Sequence, residues 1–156
     1  MAKNKEEKTN VMRVLEQKKI AYTAHTYPHE EGMAVDGVTV AKSMGFDPAI
    51  VFKTLVARGA SKQYYVFDVP VAENLDLKKA AKAVGEKSIE MIHQKELLPL
   101  TGYVHGGCSP VGMKKLFPTV FHETAENLET MIVSAGKIGY QVELAPRDLA
   151  ALVRAK

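Results

Sequence analysis

The chain has 156 residues, a length that fits one domain, and its formal net charge at pH 7 is +3. Hydrophobic residues make up 46% and charged residues 25%, a composition that excludes an intrinsically disordered chain. The single cysteine, Cys108, excludes an intrachain disulfide and a cysteine-rich zinc site. No apolar run is long enough to span a membrane, and the first ten residues lack the apolar segment of a signal peptide. We therefore expect one domain over residues 1–156, located in the cytoplasm and without membrane contact.

Helices and strands alternate irregularly along the chain. Hydrophobic periodicity and cap residues predict, in chain order, a helix over 9–19, a strand over 20–27, a helix over 38–44, strands over 51–57 and 63–69, a helix over 77–84, a strand over 88–92, a helical turn over 94–98, strands over 119–122 and 131–133, a turn over 134–139, a strand over 140–144 and a helix from Pro146. Short turns between neighbouring strands indicate hairpins. This order favours an α+β fold with a mixed sheet over a regular parallel βαβ stack.

Small clusters built on lysine pairs are the main basic feature, at Lys18–Lys19, Lys78–Lys79 with Lys82, and Lys114–Lys115. A mildly basic chain can contact a phosphate backbone, but each pair alone is typical of a solvated face. Tryptophan is absent and aromatic residues make up 7%, which disfavours a stacking platform for single strands. We expect no DNA partner.

The common catalytic motifs are missing from the sequence. It has no nucleophile elbow, no phosphate-binding loop and no paired-histidine zinc motif, and its five histidines are scattered. We therefore predict neither a metal site nor a cofactor. Cys108 lies three residues after His105, a pairing that could suggest a thiol hydrolase. A lone cysteine in a glycine-rich turn is more typical of a packing residue.

Lys53 lies in the middle of a strand with apolar residues on both faces. A buried ammonium group costs free energy unless it is paired or faces an anion, although on an edge strand it could reach solvent. Two glycine-rich segments, 106–112 and 134–139, could bring backbone N–H groups close to an anionic ligand. Ordinary glycine turns remain the alternative for both segments.

Five motifs in sequence order are similar to the YbaK/EbsC family of aminoacyl-tRNA deacylases. They are H-T-Y (25–27), V-F-K-T-L (51–55), L-D-L-K-K (75–79), G-G-C-S-P-V-G (106–112) and V-S-A-G-K-I-G (133–139). The family is related to the editing domain of bacterial prolyl-tRNA synthetases. The resemblance implies a compact, partly barrel-like mixed β-sheet with flanking helices. It also implies removal of mischarged cysteine from tRNA for proline, with the 3′ CCA end of the tRNA and prolyl-tRNA synthetase as partners.

The resemblance also assigns site residues by position. Lys53 matches the essential lysine of the family. The loop expected to hold the terminal adenosine contains Gly106, Gly107, Ser109 and Pro110, and the amino-acid pocket is lined by Tyr27, Ser134 and Gly136. Two positions depart from the family pattern: Gln141 replaces an aspartate, and Cys108 replaces an aliphatic residue.

The mechanism that the resemblance implies uses the thiol of the substrate cysteine on its own ester, which removes the need for a nucleophile from the protein. Two alternatives stay open from the sequence. The chain could bind aminoacyl-tRNA ends or a synthetase without catalysis, or it could remove alanine or serine with a water molecule.

Overall fold

Five α-helices and seven β-strands form the described part of the protein. The structure is a computed structural model and describes residues 8–27, 37–105, 107–115, 117–153 and 155. The elements are α1 Asn10–Gln17, β1 Thr23–Thr26, α2 Gly37–Ser43, β2 Phe52–Gly59, β3 Tyr64–Pro70, α3 Leu77–Val84, β4 Ile89–Met91, α4 Gln94–Thr101, β5 Thr119–Phe121, β6 Met131–Lys137, β7 Tyr140–Leu144 and α5 Pro146–Val153. The predicted α+β class is confirmed. None of the described helices has the length and apolar character that a bilayer span requires.

Local cap chemistry fixes several of these boundaries. Thr9 Oγ1 accepts a hydrogen bond from the Met12 N–H at 3.2 Å and starts α1. Asp76 Oδ1 accepts the N–H groups of Lys78 and Lys79, each at 3.1 Å, and starts α3. Gly85 ends α3 with a φ of 75°, a conformation that favours glycine. The prediction for α3 is therefore correct at both ends.

The helix α4 is longer than predicted, because it continues through Pro99 to Thr101. A proline in a helix removes one backbone hydrogen bond. Two bonds close the last turn beyond it: the Thr101 hydroxyl donates to the Leu97 carbonyl at 2.8 Å, and the Gly102 N–H donates to the Leu98 carbonyl at 2.9 Å. Burial of Leu97 and Thr101 adds to this closure.

The turn predicted over 134–139 is wrong, because β6 extends to Lys137. Ser134 pairs with Gln141 and Lys137 pairs with Tyr140, with a β-bulge between these two pairs. Gly136 lies in the bulge with a φ of 93°. The glycine thus bends the strand without ending it. The chain reverses direction over 138–139 alone.

The strands form two sheets that meet at one point. One has the order β1-β7-β6, and the other has the order β4-β2-β3-β5. All pairings are antiparallel except β3 with β5. Among the described residues, one isolated parallel bridge, between Val51 just before β2 and Ile132 of β6, joins the two sheets. The edge of β2 that faces β6 at this bridge pairs with β4 from Ala57 onward. The two sheets therefore separate between Val51 and Ala57.

Side chains alternate between two faces of this junction. On one face, Phe52 and Val133 enter the main core together with Val11 of α1 and Leu149 of α5. On the other face, Val51 and Ile132 pack against Ala41 of α2. Farther along β2 on that second face, Ala57 packs against Ala80 and Ala81 of α3. Lys53 belongs to the second face and lies between the positions covered by the two helices.

Candidate active site

Lys53 lies in β2, which pairs with β3 on one side and, from Ala57 onward, with β4 on the other, so at Lys53 itself only β3 is paired. Its pairing partner on β3 is the buried Val69, and its side chain is half-buried. The ammonium group makes no hydrogen bond or ion pair with the residues that the structure describes. A half-buried cation without a described anion costs solvation free energy, which favours a site that an anionic group occupies.

Strand register aligns three polar residues in one row on this face, and Lys53 lies on the same face across the junction. His25 of β1 pairs with Gln141 of β7, and Gln141 pairs with Ser134 of β6. Lys53 and Ser134 each lie two residues after the Val51–Ile132 bridge, so both side chains are on the face of that bridge. We call His25, Gln141, Ser134 and Lys53 the polar row. It crosses the junction where the two sheets separate.

Gln141 is the least solvated member of the polar row. It is 7% exposed, and its Oε1 atom is buried with no hydrogen-bond partner among the described residues. An unpaired buried acceptor destabilises the fold unless something supplies a donor. Its neighbour Ser134 accepts the Gly136 N–H at 3.1 Å, which leaves the hydroxyl hydrogen of Ser134 available for donation.

A network at one end of the polar row orients His25. Its Nε2 atom lies 2.9 Å from Glu143 Oε1, and Thr130 donates to the other oxygen of Glu143 at 2.6 Å. The hydrogen bond from Thr130 lowers the pKa of Glu143, and the contact with His25 lowers it further. The ring of Phe46 meets the edge of His25 with centroids 4.8 Å apart. Sequence reasoning missed this network because it depends on β1, β6 and β7 lying side by side.

The structure describes all but one of the remaining predicted residues. Tyr27 is buried just after β1, and its N–H donates to the Gly139 carbonyl at 2.9 Å. Gly106 lies outside the described residues. Ser109 is fully buried and accepts the Val111 N–H at 3.2 Å, so its hydroxyl faces inward. Pro110 is also buried.

Packing explains both described glycines that we expected to contact a ligand. A Cβ atom on Gly107 would lie 3.1 Å from the Ile138 backbone nitrogen. One on Gly136 would lie 3.0 Å from the Tyr103 ring and 3.1 Å from Val11. Both positions therefore need glycine for the fold itself. Their contact with a ligand stays a prediction.

The comparison with known proteins decides the family. Residues 29–152 match the family described as the aminoacyl-tRNA editing domain. EbsC of Enterococcus faecalis, named as a proposed Cys-tRNA(Pro)/Cys-tRNA(Cys) deacylase, is 46% identical over 97% of this chain and 93% of its own length. The chain belongs to the aminoacyl-tRNA editing domain family. The resemblance noted in the sequence is thus confirmed.

Two solved structures share the fold of this editing domain. A proposed trans-editing enzyme for prolyl-tRNA synthetase has 25% identity and a TM-score of 0.78, covering 94% of this chain and 90% of that one. The hypothetical protein APE2540 has 17% identity and a TM-score of 0.81, covering 94% and 97%. At 17% identity, the similarity to APE2540 shows a shared fold only.

Cys108 of the editing domain is poorly suited to act as a nucleophile. Its thiol packs with Val56 and Val66 on the face opposite Lys53. Burial, with a smaller contribution from the nearby carboxylate of Asp68, raises the pKa of Cys108 to about 12. A thiol with such a pKa stays protonated at neutral pH, whereas a catalytic cysteine needs a thiolate.

Asp68 is another buried polar residue, and no pattern in the sequence indicated it. Its side chain is fully buried on the same face as Cys108, accepts the Thr54 hydroxyl at 2.5 Å and leaves Oδ2 without a described partner. Burial raises the pKa of Asp68 to about 7, against the opposing effect of the Thr54 hydrogen bond.

The polar row supplies an ammonium group, a hydroxyl group and an amide oxygen. These groups can orient a substrate and stabilise negative charge that develops on it. Within the described residues, no three potential metal ligands converge. A surface cleft of about 750 Å³, lined by residues such as His122, Glu126 and Arg147, contains no member of the polar row. The polar row is therefore the candidate site.

Proposed function

We propose that this editing domain acts in trans to remove cysteine from mischarged tRNA(Pro), with Cys-tRNA(Cys) as a second substrate. The observation that carries the proposal is the 46% identity with EbsC over 97% of the chain. The similarity to the solved structure of a proposed trans-editing enzyme for prolyl-tRNA synthetase also supports this activity. A role on charged tRNA agrees with a location in the cytoplasm.

The chemistry in this proposal takes place within the substrate. The cysteine thiol loses its proton and attacks the carbonyl carbon of its own ester, forming a carbon–sulfur bond. The ester carbon–oxygen bond then breaks, and the terminal ribose oxygen leaves with a proton. The products are free tRNA and a cysteine thiolactone, which water opens afterwards. This path agrees with a polar row that contains no thiol and with a Cys108 held as a protonated thiol.

Three members of the polar row, Lys53, Gln141 and Ser134, have a role in this scheme. The Lys53 ammonium stabilises the substrate thiolate or the oxyanion formed on its ester carbonyl. Gln141 Oε1 accepts a hydrogen bond from the α-ammonium group of the cysteine, and Ser134 donates to the ester. Tyr27 and the loop that contains Gly107 and Pro110 hold the amino acid and the terminal adenosine.

Single-turnover deacylation of Cys-tRNA(Pro) and Ser-tRNA(Pro) tests the proposal. Serine and cysteine differ little in size, so an apolar pocket separates them by about 10² or less. A hydroxyl is far less ionised than a thiol of pKa about 8.5, so we expect cysteine to leave much faster, at a rate that rises with pH. A thiolactone product identified by mass supports the path. Equal rates for both amino acids, with plain cysteine under fast quench, would instead indicate a bound water.

A further inference from the structure

The exposed face of α3 carries three lysines that the deacylation chemistry does not use. Lys78, Lys79 and Lys82 are all exposed, while Ala80 and Ala81 of the same helix are buried. None of the three lysines forms an ion pair with a described residue. We call these three lysines the basic face.

This arrangement is unfavourable for the helix itself. Lys78 and Lys79 lie in the first turn, where the helix dipole repels cations, and Lys78 and Lys82 are like charges at i and i+4. Two nearby acids already accept hydrogen bonds from other groups. Asp76 accepts the first N–H groups of α3, and Glu86 accepts hydrogen bonds from Ser61 and Tyr65. The charges of the basic face therefore remain available to an external anion.

The basic face lies on the same side of the sheet as the candidate site. The buried side of α3 packs on Ala57, which shares its face of β2 with Lys53. Ala57 lies four positions after Lys53 along the strand, so their Cα atoms are roughly 13 Å apart. The basic face lies on the outer side of α3, so its lysines are farther than this from Lys53, at a distance that a few nucleotides of an RNA strand can cover.

We infer that the basic face binds backbone phosphates of the tRNA acceptor end, a few nucleotides from the ester held at Lys53. The inference rests on the proposed function, which brings the 3′ end of a tRNA to the polar row. Side chains at i and i+4 lie about 5–6 Å apart at Cβ, close to the separation of successive phosphates along an RNA strand. Ammonium groups bind phosphates without reading their sequence, so this contact supplies affinity rather than specificity.

The test compares two triple variants with equal loss of charge. Lys78→Gln, Lys79→Gln and Lys82→Gln removes the basic face and keeps residues with a similar helix propensity. The matched control is Arg13→Gln, Lys18→Gln and Lys19→Gln on and just after α1, which packs on the opposite face of the sheet through Val11 and Leu15. Melting temperatures verify that both variants fold.

The readout is deacylation of full-length Cys-tRNA(Pro) and of a cysteinyl CCA trinucleotide that lacks the acceptor stem. For the basic-face variant we expect KM on the full-length tRNA to rise about tenfold or more, with kcat and the trinucleotide reaction unchanged. The slope of log KM against log salt should fall by about 3 in magnitude, one for each phosphate contact. The control variant should match the wild type.

An unchanged KM and salt slope for the basic-face variant would overturn the inference. So would a variant that keeps wild-type kinetics on tRNA but loses binding to prolyl-tRNA synthetase, because the basic face would then serve a protein. Binding of uncharged tRNA(Pro) separates this inference from the proposed function. If the wild type does not deacylate, weaker and less salt-dependent tRNA binding by the basic-face variant still supports the contact.

Discussion

The ammonium of Lys53 is the residue-scale feature that most directly links the fold to chemistry. We expect Lys53→Met to reduce deacylation of Cys-tRNA(Pro) at least about 10²-fold, the usual loss when one charge-stabilising group is removed. The melting temperature should stay constant or rise, since methionine keeps the apolar stem and removes a half-buried charge. Deacylation rate and thermal melting are measured on the same preparations, with Lys18→Met as the surface control. Full activity, or a collapse in melting temperature, would contradict a catalytic Lys53.

Replacement of Gln141 by leucine should raise the stability of the protein and lower its activity. Its Oε1 atom is buried without a described partner, and such an acceptor costs about 1–3 kcal/mol. Gln141→Leu should therefore raise the free energy of unfolding in urea while it weakens substrate binding. Gln141→Glu keeps an acceptor at the position and should retain more activity than leucine. A leucine variant with normal KM and kcat would show that the amide does not contact the substrate.

At the scale of one strand, the bulge in β6 sets the requirement for glycine at position 136. Gly136→Ala places a Cβ atom 3.0 Å from the Tyr103 ring at a φ of 93°, so we expect a loss of about 2–4 kcal/mol in stability. Gly45→Ala is the matched control, because Gly45 has a φ of 78° and no atom within 4 Å of the added Cβ. It should cost only the backbone strain of about 1–2 kcal/mol. Equal losses in urea unfolding would refute the steric account.

Elements whose signals are local were predictable from the sequence. Thr9, Asp76 and Gly85 define helix ends through hydrogen bonds and backbone angles within a few residues. The extension of β6 was missed because serine, glycine and lysine in a row are typical of a turn. Only the pairing of Ser134 and Lys137 with β7 keeps them in a strand.

At the scale of the whole molecule, the candidate site depends on contacts that no local pattern encodes. The motif resemblance named Lys53, Ser134 and Tyr27 as site residues. Their alignment with Gln141 and His25 follows from the register of β1, β7 and β6 and from the bridge to β2. Asp68 was missed because one aspartate in an apolar strand gives no sign of its depth until β5 and the loop around Cys108 cover it.

The buried carboxyl of Asp68 makes folding a proton-uptake reaction. Its pKa is about 7 in the folded protein and about 3.9 in an unfolded chain, so between these values the folded state holds more protons than the unfolded state. The free energy of unfolding therefore falls as pH rises from about 4 to about 7, by up to about 4 kcal/mol, and levels off above that range. The lowered pKa values of Glu16, Glu86 and Glu143 change stability in the opposite direction, mainly at and below about pH 4.5. Unfolding at pH 6 should release a proton that calorimetry detects as a dependence of the enthalpy on the ionisation heat of the buffer. Asp68→Asn should abolish both the proton release and the decline in stability from pH 5 to pH 8; an unchanged decline would assign it to another group.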